Sequence, residues 1–233
     1  MKNLFMKYGI VINDKQLMQF ETYYHLLIEW NQKINLTTII DYQEVTKKHF
    51  LDSCLLLTQY SEKVFFGKKI IDVGTGAGFP GIPLSILLPD SEFLLVDSLN
   101  KRVDFLTLVI EELGLNQVSV VHGRAEDFGK REEFREKFDF CISRAVAALP
   151  ILLEYCSPFV KVDGTLLLYK SIKAHDEIEE SDQAMQLLNC TVSSLTELAN
   201  EPDFQRYIVE IRKSAPTPDK FPRRAGKPKK QPL

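Results

Sequence analysis

An α/β fold, a doubly wound and mostly parallel sheet, is predicted by three observations. Short apolar runs alternate with helical segments after Gly67, one of those runs leads into a glycine-rich turn, and an acid, Asp97, ends the next run nineteen residues past Gly78. The 233 residues are 45% hydrophobic and 26% charged, a globular balance that excludes fibrous, collagen-like and wholly disordered readings.

In chain order, Leu17, Phe20, Tyr24, Leu27 and Ile28 recur at three- and four-residue spacing and build one apolar stripe. Residues 14–60 therefore read as helical throughout, with Asp41-x-x-Glu44 as a capping box for a second helix whose stripe includes Val45, Phe50 and Leu57. Strands are expected at Lys69–Val73, Phe93–Val96, Val118–Val121 and Phe138–Ile142. Leu106, Val109, Ile110 and Leu113 mark a crossover helix, and Gly114 stands at its C-cap. Leu166–Tyr169 supplies a fifth strand, 174–188 another helix, and Val192–Leu195 with Tyr207–Ile211 a final pair. The expected organisation is a helical extension (1–60), a ligand-binding α/β domain (61–213) and a Pro-rich tail (214–233). That tail holds five of the eleven prolines and reads as extended or mobile.

The formal net charge of −3 hides a split. From Arg212 to the end there are eight basic residues and one acid, so this stretch carries +7 and the remainder −10. A basic tail on an acidic body points to an anionic partner. Cys54, Cys141, Cys156 and Cys190 are far apart with no C-x-x-C pair, so they read as small buried hydrophobes rather than as a metal knuckle or disulfide framework. No signal peptide or membrane-spanning run is visible, and a cytoplasmic protein without metal is expected.

The segment Ile70-Ile71-Asp72-Val73-Gly74-Thr75-Gly76-Ala77-Gly78-Phe79-Pro80-Gly81 runs from a buried strand into a turn and then a helix. Its glycines let the backbone turn tightly and let a ligand approach closely. Asp97 is placed to accept hydrogen bonds from two ribose hydroxyls, which makes the ligand a ribose-bearing cofactor. Gly76-x-Gly78-x-x-Gly81 formally satisfies the dinucleotide pattern, but Pro80 and Pro83 remove donors from the helix start that a pyrophosphate would need. The register Asp72-x-Gly74-x-Gly76-x-Gly78 resembles the S-adenosylmethionine loop of the Rossmann-like methyltransferases, and Asp72 suits the cationic amino-acid end of that cofactor. Gly123 to Asp127 follows the third strand, where backbone and acids cover an adenine; the competing reading is a solvated loop or helix cap. Ser143-Arg144-Ala145-Val146 follows the fourth strand, with Arg144 expected at the mouth of the cleft or else in a surface ion pair.

These stretches, with Val96-Asp97-Ser98-x-x-Lys101-Arg102, His49-x-x-Asp52-Ser53 and the tail Pro222 to Pro228, resemble the 16S ribosomal RNA guanine-N7 methyltransferase G family, also called the glucose-inhibited division protein B family. The resemblance spans nearly the whole chain. It implies a seven-stranded Rossmann-like class I methyltransferase fold, S-adenosylmethionine as cofactor and contacts to it at Gly74, Phe79, Ala125, Glu126 and Arg144, to which Gly76, Gly78 and Asp97 are added from the loop. It implies methylation of one guanine of 16S rRNA in the decoding region of the small subunit, by a monomer. The chain also lacks the Asn/Asp-Pro-Pro-aromatic run of exocyclic-amine methyltransferases and a thiol beside a proline after the fourth strand. Guanine N7 carries a lone pair and no proton, so no catalytic acid or base is expected. His49 and Asp52, three apart on a helix, could be a base and its orienter; the reading adopted is that they shape the base pocket. Arg223, Arg224 and Lys227 are expected to hold phosphates, against a merely solubilising tail. Two other functions compete: a nicotinamide-dependent oxidoreductase, and a cofactor-sensing ribosome-binding protein without turnover.

Overall fold

The computed structural model describes residues 1–201 and 204–233. Its centre is a seven-stranded sheet, built of β1 (Lys69–Val73), β2 (Glu92–Asp97), β3 (Val118–His122), β4 (Phe138–Arg144), β5 (Val160–Lys170), β6 (Cys190–Glu201) and β7 (Phe204–Lys213). The spatial order is β3-β2-β1-β4-β5-β7-β6, parallel except where β7 pairs antiparallel with β5 and with β6. The order reverses between β1 and β4, so the carboxyl ends of those two strands open a crevice there.

Alternation along each strand sends side chains to two separate cores. Ile70, Leu95, Ile142 and Leu167 face one core, and Ile71, Val96, Cys141 and Leu166 face the other. The first core is completed by α1 (Lys2–Lys7), α2 (Asp14–Ile34) and the segment after it, through Phe5, Phe20, Tyr23, Leu27 and Phe50. α2 starts at a capping box in which Asn13 and Gln16 exchange side-chain to backbone hydrogen bonds.

The stretch 14–60, read as two helices, is broken more often than that reading has it, although Asp41 does cap a new helix. Asn35 takes a left-handed conformation (φ 46°) and ends α2, and the chain turns until Asp41 caps α3 (Tyr42–Val45) by accepting from the amides of Gln43 and Glu44. A π-helical turn (Thr46–Leu51) and α4 (Asp52–Cys54) follow directly. The wider turn presents His49 and Asp52 toward the carboxyl edge of the sheet, a placement that ordinary α-helical spacing does not foretell. The crossovers α5 (Gly81–Leu87) and α6 (Asn100–Leu113) match the pattern, and Gly114 closes α6 at φ 63°. After α7 (Ala125–Phe128) and α8 (Leu149–Cys156), the helix expected at 174–188 is split into α9 (Ala174–Glu179) and α10 (Asp182–Leu188). Ser181 causes the break by bonding its hydroxyl back to the Glu177 carbonyl (2.6 Å). All four cysteines are buried and free.

The tail, expected to be extended or mobile, is largely without regular structure but lies against the body. Residues 214–233 pack on the second core, with Phe221 buried, and end in α11 (Lys227–Lys230). Arg135 donates to the carbonyls of Thr217 (2.6 Å) and Phe221 (2.9 Å), and Thr217 donates its amide to Glu136 (2.8 Å). The prolines leave carbonyls without paired amides, and Arg135 and Asn189 satisfy several of them from the body. Arg223 is gripped by Glu154, a fully buried carboxylate on α8, through Nε (2.9 Å) and Nη2 (2.5 Å).

Removing Arg223 would leave the Glu154 charge buried and uncompensated. Arg223→Ala is expected to lower stability by about 3–5 kcal/mol, whereas Arg224→Ala, at an exposed position, stays within about 0.5 kcal/mol. Urea unfolding of both variants checks the contrast; equal midpoints would overturn it.

Candidate active site

The glycine turn is held from beneath by Asp72. One of its carboxylate oxygens, Oδ2, accepts from the Thr75 hydroxyl (2.7 Å) and the Gly81 amide (2.9 Å); the other, Oδ1, is buried with no partner. Burial lifts the Asp72 carboxyl to about 7, opposed by those two hydrogen bonds. Asp72 thus folds the loop first, a role that the reading of it as a partner for a cationic ligand did not include.

The start of α5 offers no anion site. Gly81 gives its amide to Asp72, Ile82 gives its amide to the Gly78 carbonyl (2.8 Å), and Pro80 and Pro83 have none to give. A pyrophosphate would find no free donor there, which counts against a dinucleotide.

The loop glycines divide by function. Gly74 (φ +73°) lines a cavity of about 310 Å³ at the switch point, and a Cβ there would stand 2.5 Å from Val146. Gly76 (φ +64°) donates its amide to Asp97 (2.9 Å). Gly78 does not face that cavity: a Cβ would lie 2.6 Å from the Tyr23 hydroxyl and 2.8 Å from Ile82. Its bareness admits α2, whose Tyr23 hydroxyl donates to the Ala77 carbonyl. Gly78, expected to contact the cofactor, packs against α2 in this structure.

Asp97, Ala125 and Glu126 line the 310 Å³ cavity with Ser98, Arg124 and Tyr155. Asp97 already accepts from the amides of Gly76 and Leu99 (2.9 Å each), and Arg102 lies 3.4 Å away, which leaves acceptor capacity for a ligand hydroxyl. Glu126 accepts the Gly226 amide through one oxygen (2.9 Å), leaving the other for a ligand. Two carboxylates along one wall and a bare glycine backbone at the end fit an adenosine bearing a small cationic chain.

A second cavity, of about 420 Å³, adjoins the first, and Ala145 lines both. Its wall carries Lys48, His49, Asp52, Arg144, Lys170 and Arg206. Arg144 lies here and not along the first cavity: its guanidinium bonds Asp52 (2.6 Å) and the Lys48 carbonyl (3.3 Å) and lies over the Phe79 ring. Asp52 is nearly fully buried and takes a second arginine, Arg206, at 2.8 Å. His49 and Asp52 are not hydrogen-bonded to each other here: Asp52 meets the two arginines, and the His49 ring nitrogens meet Thr37 and the Lys48 carbonyl. His49 meets the Thr37 hydroxyl through Nε2 (2.8 Å) and stacks on Phe79 with centroids 4.6 Å apart. Burial, and next the Arg144 charge, push the His49 pKa down to about 4, so the ring is neutral near pH 7.

The tail residues also separate. Arg223, expected to hold a phosphate, is bound through Nε and Nη2 to Glu154 and anchors the tail. Arg224, Lys227 and Lys230 surround an open cavity of about 600 Å³ beyond Gly226, whose amide ties this stretch to Glu126. Sequence reasoning missed Arg206, Lys170, Lys48 and Tyr155. Lys170 ends an apolar run as Arg144 does and was open to the same inference; Arg206 reaches the site only because β7 inserts beside β5.

The description "rRNA small subunit methyltransferase G" belongs to the family that matches residues 16–209. A protein of Lachnoclostridium phytofermentans named ribosomal RNA small subunit methyltransferase G is 48% identical over 226 residues, covering 97% of this chain and 93% of that protein. One of the same name from Lactobacillus johnsonii is 45% identical, with 97% and 95% covered. Among solved structures, a SAM dependent methyltransferase from Aquifex aeolicus shares the fold with a TM-score of 0.55, at 19% identity, over 73% of this chain and 93% of that one. The sheet order, the turn and near-full-length identity agree, and the chain belongs to the rRNA small subunit methyltransferase G family.

Proposed function

We propose that the protein transfers a methyl group from S-adenosylmethionine to N7 of a guanine in small-subunit ribosomal RNA. The observation that carries this reading is the pair of cavities meeting at Ala145, one walled by Asp97 and Glu126 and the other by Arg144, Arg206 and Lys170. S-adenosylmethionine supplies an electrophilic methyl group on a sulfonium when bound. Gly74, Asp97, Ala125 and Glu126 hold its adenosine, with Gly76 and Asp72 keeping the loop in shape and Arg144 and Phe79 closing the partition.

The target guanine enters the second cavity. N7 presents a lone pair and no proton, so no side chain has to accept one. The neutral His49 ring, flat on Phe79, gives the base an apolar face, while Arg144 and Arg206 are fixed by Asp52 and cannot swing into the base plane. Rate acceleration rests on alignment, which supplies roughly 7–11 kcal/mol of a barrier when the reacting atoms are well oriented. Arg224 and Lys227 on the tail hold RNA phosphates, and RNA within the small subunit is the partner.

Transfer of labelled methyl groups into small subunits and into naked 16S RNA tests the reading; label at guanine N7 supports it. Absence of transfer with intact cofactor binding would instead support a cofactor-sensing ribosome-binding protein. Equilibrium binding of S-adenosylmethionine against a nicotinamide dinucleotide separates out the oxidoreductase. Replacing Arg224 and Lys227 together by alanine is expected to weaken RNA binding and to flatten the slope of log affinity against log salt by roughly 1.5. An unchanged slope overturns the phosphate role. His49→Ala is expected to lower kcat/KM for the natural substrate by about tenfold, as for loss of a positioning contact; full methylation would remove His49 from the pocket. The unfolded state takes up a proton near pH 6.5 and the folded state only near 4, so acidification across that window favours unfolding. A His49→Phe variant should lose that part of the pH dependence of stability.

A further inference from the structure

The second cavity is lined by paired charges, Arg144 and Arg206 on Asp52 and Lys170 on Glu177. Ile39 and Ser171 line it from opposite elements, the α2–α3 connection and the end of β5. The residues that follow them, Ile40 and Ile172, are 58% and 60% exposed. Single exposed hydrophobics are ordinary; here two large β-branched residues each stand one position beyond a residue that lines the same cavity. Both stand on anchored backbone. The Ile40 carbonyl accepts the Tyr24 hydroxyl (3.1 Å), and Ile172 lies in a turn closed by the Ala174 amide on the Ser171 carbonyl (3.0 Å). Each is β-branched, with few rotamers to lose.

A guanine in a folded RNA is stacked on its neighbours, and the deep, narrow major groove of an A-form helix keeps N7 from a buried site. Chemistry in an enclosed cavity requires the base to leave its stack, and the cost falls when a side chain occupies the space it vacates. The charged side chains of the cavity are already paired, Arg144 and Arg206 with Asp52, Lys170 with Glu177 and Lys48 with Glu44, and offer nothing to the bases left behind.

We propose that Ile40 and Ile172 are positioning residues that wedge against the RNA bases flanking the target guanine and hold its place in the stack while it occupies the cavity. This rests on the reading that the guanine enters that cavity. Because both side chains project into solvent, Ile40→Ala and Ile172→Ala leave the fold intact.

The experiment maps the methylated guanine with the wild-type protein, then measures single-turnover methyl transfer into reconstituted small subunits below saturation. The expected result is a loss of about tenfold for each variant, with unchanged affinity for S-adenosylhomocysteine by calorimetry. Subunits rebuilt with an abasic nucleotide beside the target, which no longer stacks on it, should restore the variants toward the wild-type rate. Variants that match the wild type, or a loss that the abasic neighbour does not restore, overturn the wedge. Absence of transfer by the wild type overturns the underlying assignment as well, and that outcome is distinct from equal rates among active proteins.

Discussion

The Asp52 carboxylate organises the whole carboxyl edge of the molecule. It stands on a short helix of the amino-terminal segment, yet its two oxygens belong to Arg144 at the end of β4 and Arg206 on β7. Three elements distant in sequence are tied by one buried anion. Two arginines with planar, always charged heads offset its desolvation, and each is oriented by the bond it makes. The cavity wall, the stack of His49 on Phe79 beneath Arg144, and the docking of the π-helical turn all follow from that junction. A shift of any one arm would tilt the other two.

The sheet was legible because its strands are short apolar runs bounded by turn residues, a local signal that survives without context. β1 begins and ends where its run does and β2, β3 and β4 overrun theirs by one or two residues, whereas β5 starts six residues before its run. β6 and β7 were harder to bound, since exposed positions and register shifts blur their alternation. The helical breaks were illegible for a different reason: Asn35 and Ser181 are residues that many helices carry, and only tertiary packing decides whether they end one. Of the site, the glycine turn and Asp97 could be read because the chemistry constrains spacing along the chain. The Asp52–Arg144–Arg206 junction could not, because its members are joined by strand order alone.

Net charge was a poor guide until the structure resolved it residue by residue. Lys213 is fully buried and pairs with the half-buried Glu136, and the half-buried Arg223 pairs with the fully buried Glu154, so two of the eight basic residues after Ile211 are taken up by acids of the body. The tail is a strap that carries its remaining cations to a fixed place. Its proline content, which suggested mobility, fits a backbone whose carbonyls are met by Arg135 instead of by a neighbouring strand.

Ala145 stands between the two cavities with φ +58°, a conformation seldom taken by a residue with a side chain. The partition is one residue thick. The two compartments therefore share a boundary whose displacement enlarges one at the expense of the other. Under the proposed assignment of cofactor and base, bulk tolerated in one cavity is bulk denied to the other, and selectivity for the two ligands cannot drift independently.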